Sequence, residues 1–151
     1  MIRSVLAMAA IAVGATVVMA QSDPIAQRKS LMKSNGQHSG ALNRMVRGED
    51  PFDAAKVNAA FAAWADNASK IPALFASPPP AGAETRALPK IWEQKNVFDA
   101  KVGEFGKAVA DNKDKAKTLD ELKVSYPLVT KVCNDCHEDN RRPAPAGGKK
   151  Q

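Results

Sequence analysis

The sequence predicts an all-α protein, an antiparallel up-down bundle of four helices. Three observations carry that expectation. Apolar residues recur in steps of three and four along successive stretches, the spacing of one face of a 3.6-residue helix. Clusters of proline and glycine separate those stretches. No segment alternates polar and apolar residues with period two, as a half-buried strand would, and no internal repeat is evident. A chain of 151 residues with 44% apolar and 25% charged side chains has the proportions of one globular domain, which excludes disordered, collagenous and multiply disulfide-bridged classes.

The first twenty residues stand apart from that domain. Arg3 precedes an uncharged apolar run from Val5 to Val18, and Val18-Met19-Ala20 offers the small or apolar side chains that a signal peptidase reads. The run is shorter than the roughly 18–20 residues of a spanning helix, so residues 1–20 are expected to be a cleaved secretory signal. Cleavage after Ala20 removes Arg3 and leaves 21 basic against 16 acidic side chains, a net charge of +5. The expected location is the periplasm of a Gram-negative bacterium.

Residues 21–142 then read as the bundle. Asp23-Pro24 is a capping side chain followed by proline at the first helical position, and the helix it opens can run to Arg47 before Gly48-Glu49-Asp50-Pro51. Asp53 opens a second helix whose Val57, Phe61, Trp64, Ala68 and Ile71 form the clearest seam in the chain. Residues 75–89, with three consecutive prolines and Gly82, are expected to be an irregular connection. A third helix is expected over residues 90–112, with Ile91, Phe98, Val102, Phe105 and Val109 on one stripe. Thr118 and Glu121 form a capping box for the fourth, whose face is Leu119, Leu122, Tyr126, Val129, Val132 and Cys136. Pro127 lies inside that helix and removes one backbone hydrogen bond, so a kink is expected there. Residues 143–151, rich in proline, glycine and lysine, are expected to be a disordered basic tail.

Composition adds one oddity. Only 5% of residues are aromatic while 27 are alanine, so the core is either built from small side chains or completed by something the sequence does not encode.

The chemistry is concentrated at Cys133-Asn134-Asp135-Cys136-His137. Two thiols three residues apart on one side of a helix suit the two vinyl groups of a haem, and the adjoining imidazole can reach the iron from below the ring. This is the attachment pattern of c-type haem, and it fits an exported chain. Three rival readings use the same atoms. A redox dithiol wants a helix N-terminus in a βαβ setting, whereas these cysteines lie near a helix C-terminus. A zinc site wants four ligands, and Cys133, Cys136, His137 and the distant His38 are all the thiols and imidazoles in the chain. A disulfide across two intervening residues closes too small a loop to stabilise much.

With that motif at the C-terminal end of a four-helix pattern, the chain resembles the class II cytochromes c, the cytochrome c′ family, and within it the low-spin cytochrome c-556 type. Arg28-Lys29-Ser30-Leu31-Met32-Lys33-Ser34-Asn35-Gly36 is similar to the Arg-x-x-x-Met-Lys-x-x-Gly pattern of the low-spin members. Leu88-Pro89-Lys90-Ile91-Trp92 resembles the segment that opens the family's third helix, and Cys133 to Arg141 matches its haem motif with a basic residue four after the histidine.

The resemblance implies one covalently bound haem c per chain, with Cys133 and Cys136 as thioether attachments and His137 as the proximal iron ligand. It implies that Met32 faces the iron from the first helix, bonding it in low-spin members and only packing over it in some high-spin ones. Gly36, one turn beyond Met32, removes a side chain from that face at a cost of about 1 kcal/mol relative to alanine, which is understandable if something bulky approaches there. Arg28 is implied to lie near a haem propionate, with a solvated surface arginine as the alternative. Arg141, one turn after His137, is implied to act on the iron's potential through its charge, against a merely solvated basic end. His38 is 240° around the helix from Met32 and is read as a surface histidine.

The expected function is that of a low-spin, periplasmic, monohaem electron carrier, and not an enzyme. The alternative is a high-spin five-coordinate cytochrome c′ that binds nitric oxide or carbon monoxide as a sensor or scavenger. Expected partners are periplasmic or membrane redox proteins, with a homodimer possible and no role for nucleic acid. The aromatic-poor core becomes intelligible if the macrocycle supplies the missing bulk, and without it the chain is expected not to form a stable, well-packed bundle.

Overall fold

The structure, a computed structural model, describes residues 23–144. The expected signal segment lies outside them, as does the expected tail beyond residue 144. Five α-helices appear in the order α1 (Pro24–Val46), α2 (Ala54–Leu74), α3 (Lys90–Glu93), α4 (Lys95–Asn112) and α5 (Leu119–Asn140). The four long ones form the bundle. α1 packs on α2, α2 on α4, α4 on α5, and α5 returns to α1, so sequential neighbours are antiparallel and the ring closes.

Helix boundaries follow their local chemistry. Asp23 caps α1 by accepting a hydrogen bond from the Ile25 amide at 2.8 Å, and Pro24 fills the first helical position, where its missing N–H costs nothing. Gly48, at φ +75°, stops α1 in a conformation that L side chains rarely adopt. Asp53 caps α2 through the Lys56 amide at 3.0 Å. Thr118 and Glu121 close a reciprocal capping box at the start of α5. α5 runs on through Pro127, where the carbonyl of Lys123 has no helical donor.

The seam expected along α2 is the core. Val57, Phe61, Trp64, Ala68 and Ile71 are all buried, and they meet Phe98, Val102, Phe105 and Val109 of α4 and Leu122 and Val129 of α5. Trp64 stands edge-on to Phe61 with ring centroids 5.3 Å apart.

One expected element is corrected. The single helix over 90–112 is two, broken at Gln94, which adopts φ −126° and ψ 50°. The break separates two ways of gripping the end of α2. In α3 the Trp92 indole donates to the carbonyl of Phe75 at 3.0 Å, while in α4 the ring of Phe98 packs on the ring of Phe75 at 5.1 Å. No proline or glycine marks Glu93-Gln94-Lys95, so tertiary contact overrides an unbroken local helix pattern there.

Candidate haem site

The site is built on the last turns of α5. Cys133 and Cys136 are unbridged and half-buried, and both pack against the hydrophobic core. Three residues apart on one helix, they are surface neighbours, with Cβ atoms roughly 5–6 Å apart. Burial, followed by the neighbouring Cys136, pushes the Cys133 thiol up to about 11. Burial also raises Cys136, against a side-chain hydrogen bond from Asn140. Both groups are therefore protonated thiols at neutral pH, unlike the depressed thiolate of a redox dithiol. Among the described residues no group of three or more histidine, cysteine or carboxylate side chains is arranged to hold a metal, so the zinc reading has no fourth or third partner.

His137 follows on the same face. Burial, and then the charges of Arg141 and Arg86, hold its imidazole down to about 4, so it is neutral and carries a lone pair for a metal. Asn140 is buried and donates from Nδ2 to the Cys136 carbonyl at 2.9 Å, which pins the final turn. Lys101 of α4 pairs with Asp139 at 2.8 Å and fastens the same turn to the next helix.

The chain beyond α5 is sewn to the proline-rich connection. The Arg141 amide donates to the His137 carbonyl at 3.0 Å, and its backbone then turns extended and bridges Ala87 in antiparallel fashion. The Leu88 amide donates to the Asn140 carbonyl at 3.0 Å, and the Arg142 amide to the Arg86 carbonyl at 2.8 Å. Arg141 thus ends the helix, and its exposed side chain acts on His137 through charge. Arg86 does the same from the connection. Sequence reasoning missed Arg86, because only the pairing of 85–88 with 140–142 brings it there and no local pattern announces that pairing.

Arg28 requires a correction of one expected alternative: it is not a solvated surface arginine. It is buried, and its Nε and Nη2 donate to the carbonyls of Leu74 and Ser77 at 2.6 and 2.9 Å. Its guanidinium lies 4.6 Å from the centre of the Phe75 ring and 5.5 Å from that of Trp92. Its third nitrogen, Nη1, is buried with no hydrogen-bond partner. An orphaned guanidinium N–H is costly unless an acceptor, best an anion, completes it.

The register of α1 on α5 follows from one polar contact. Ser39 Oγ and Tyr126 OH lie 2.9 Å apart. Met32 is seven residues before Ser39 and Cys133 seven after Tyr126. In antiparallel helices both steps run the same way, about 10.5 Å along the axis, and seven residues return to nearly the same face. Met32 therefore stands level with Cys133, and Arg28 level with His137. His38, ten residues from Arg28, is about 15 Å along the bundle from that level. Met32, Val132, Cys133 and Cys136 are all half-buried at this end, whereas Leu42, Met45 and Leu122 beyond Ser39 and Tyr126 are at most 1% exposed. A Cβ added to Gly36 or Gly40 would meet no protein atom within 4 Å. Neither close packing nor a positive φ accounts for these two helical glycines.

The sequence profile described as "Cytochrome C'" matches residues 23–141. This chain belongs to the cytochrome c′ family. A cytochrome c-556 of Rhodopseudomonas palustris is 35% identical over 145 residues, covering 93% of this chain and 97% of its own. A cytochrome c′ of the same organism is 37% identical over 131 residues, covering 87% and 90%. The solved structure of cytochrome c′ from Rhodopseudomonas palustris superposes with a TM-score of 0.76 at 38% identity, covering 83% of this chain and all of that one. Like its family, this cytochrome is an electron-transfer haem protein with covalently bound haem c. Its residues fit that group: an unbridged half-buried thiol pair, a neutral imidazole beside it, and an unsatisfied guanidinium N–H on the arginine level with that imidazole.

Proposed function

We propose that this cytochrome is a low-spin, periplasmic, monohaem one-electron carrier. Cys133 and Cys136 are its thioether attachments, His137 the proximal iron ligand and Met32 the distal one. The observation that carries the reading is the register of Met32 with Cys133, set by the contact of Ser39 with Tyr126. When bound, the haem supplies reversible ferric–ferrous chemistry. His137 would offer it a neutral nitrogen and Met32 a thioether that favours ferrous iron, a ligand set suited to carrying electrons. Arg28 holds a propionate through Nη1, and Arg141 with Arg86 raises the potential by positive charge near the proximal side. Export is supported by the apolar run that ends at Ala20, and no described helix is long and apolar enough to cross a membrane. Residues 1–20 are then a cleaved signal, 21–142 the haem domain and 143–151 a basic tail. The partners are periplasmic or membrane redox proteins, with a homodimer as the assembly.

Optical spectra of the oxidised and reduced protein test the ligand set. A methionine-to-iron charge-transfer band is expected, and Met32→Ala should abolish it, give a high-spin spectrum and open the ferrous protein to carbon monoxide. A wild-type protein that is already high-spin and binds carbon monoxide would establish the sensor or scavenger reading instead.

A further inference from the structure

The half of α5 that carries the attachment motif is held at both ends. At its far end the Leu88 amide donates to Asn140 and the Arg142 amide to Arg86. At its near end Tyr126 meets Ser39 twice: the two hydroxyls lie 2.9 Å apart, and the Tyr126 hydroxyl donates to the Ser39 carbonyl at 3.2 Å. Pro127 follows Tyr126 directly, so the helix lacks a backbone hydrogen bond at the point where that half begins. Missing a rung there, α5 bends more easily at this position than elsewhere. The Thr130 hydroxyl turns back to the carbonyls of Tyr126 and Pro127 at 3.2 and 3.3 Å, bonds within α5 that neither supply the donor missing at the Lys123 carbonyl nor tie the loosened turn to another helix.

Side-chain packing is uneven on the two sides of this joint. Leu42, Met45 and Leu122 are at most 1% exposed on one side; on the other, Val129 and Leu31 are buried while Met32, Val132 and Cys133 are only half-buried. Apolar packing thus thins toward the level of Met32 and Cys133. The paired hydroxyls sit at the boundary between the two sides. Directional hydrogen bonds between two helices fix spacing and register, which a softer apolar contact leaves variable.

We propose that Tyr126 and Ser39 are positioning residues for the distal ligand. Their contact, placed at the proline joint, sets how far α1 stands from the haem-bearing half of α5 and so sets the ratio of iron-bound to unbound Met32. The proposal rests on the reading of Met32 as an iron ligand. Both residues act through Met32.

The test compares haem-loaded wild type with Tyr126→Phe, Ser39→Ala and the double variant. The readouts are the charge-transfer band over temperature, the reduction potential and the carbon monoxide affinity of the ferrous protein. Tyr126→Phe removes both contacts and should lower the bound-to-unbound ratio about two- to tenfold, the range one hydrogen bond commands. Ser39→Ala leaves the tyrosine hydroxyl its bond to the Ser39 carbonyl, so its effect should be smaller. The double variant should match Tyr126→Phe, because the two changes act on one contact. Thr118→Ala, which loosens the start of α5 by removing its cap, is the control and should lower stability without moving the ratio. A Tyr126→Phe protein with lowered stability but an unmoved band, potential and carbon monoxide affinity would overturn the proposal. Absence of the band in wild type would instead overturn Met32 ligation. In that event there is no bound state of Met32 for the contact to set, and the proposal falls with it.

Discussion

Arg28 reaches across the end of the bundle to donate from Nε to the carbonyl of Leu74, 46 positions further along the chain, at 2.6 Å. The last carbonyls of α2 have no helical donors, and this guanidinium takes over part of that duty while it also holds Ser77 in the connection. Arg28→Lys keeps the charge but replaces a planar fork by a single ammonium, which cannot serve both carbonyls in the same geometry. The variant should be destabilised by about 2–3 kcal/mol, measured by urea unfolding of the haem-loaded protein. Equal stability would mean that the two carbonyls find water as readily as they find arginine.

Gly36 has two opposing effects to separate. Alanine there meets no protein atom within 4 Å, so by helix propensity alone Gly36→Ala should stabilise α1 by about 1 kcal/mol. That gain should appear as higher helicity in circular dichroism of a chain that cannot attach haem, such as Cys133→Ala/Cys136→Ala. In the haem-loaded protein the sign should reverse, with a weaker charge-transfer band and a lower melting temperature. Stabilisation in both forms would leave the glycine without a role on the distal face.

The haem-free chain should keep much of its helix and lose its cooperativity. Leu42, Met45 and Leu122, beyond Ser39 and Tyr126, are at most 1% exposed, but Met32, Val132, Cys133 and Cys136, around the thiol pair, are only half-buried. A chain lacking the attachment thiols should therefore unfold gradually, with weak near-ultraviolet dichroism. A sharp two-state transition equal to that of the loaded protein would show that the small-residue core is sufficient by itself.

Much of this was legible from local signals. Asp23, Asp53 and Thr118 mark helix starts because capping chemistry is short-range, and the α2 seam from Val57 to Ile71 follows directly from helical period. The thiol pair and its histidine are likewise contiguous in sequence. The break at Gln94 was not legible, since it answers to Phe75 some twenty residues earlier. Arg28 could be singled out by spacing from Met32, yet its burial depends on carbonyls of Leu74 and Ser77, which no local pattern connects to it. Arg86 came from a connection whose only sequence signal was irregularity.

The span of the contacts that close the ring bears on the order in which the molecule assembles. Ser39 and Tyr126 are 87 positions apart, and Arg86 and Arg142 are 56 apart. Contacts at such separations form late, after local helical hairpins have collapsed. Pulse-labelled hydrogen exchange should accordingly protect the middle of α2 and α4 before the turn at 133–140. The turn that carries both thiols is among the last parts of the fold to dock, so Cys133 and Cys136 stay reachable while the rest of the scaffold is already taking shape.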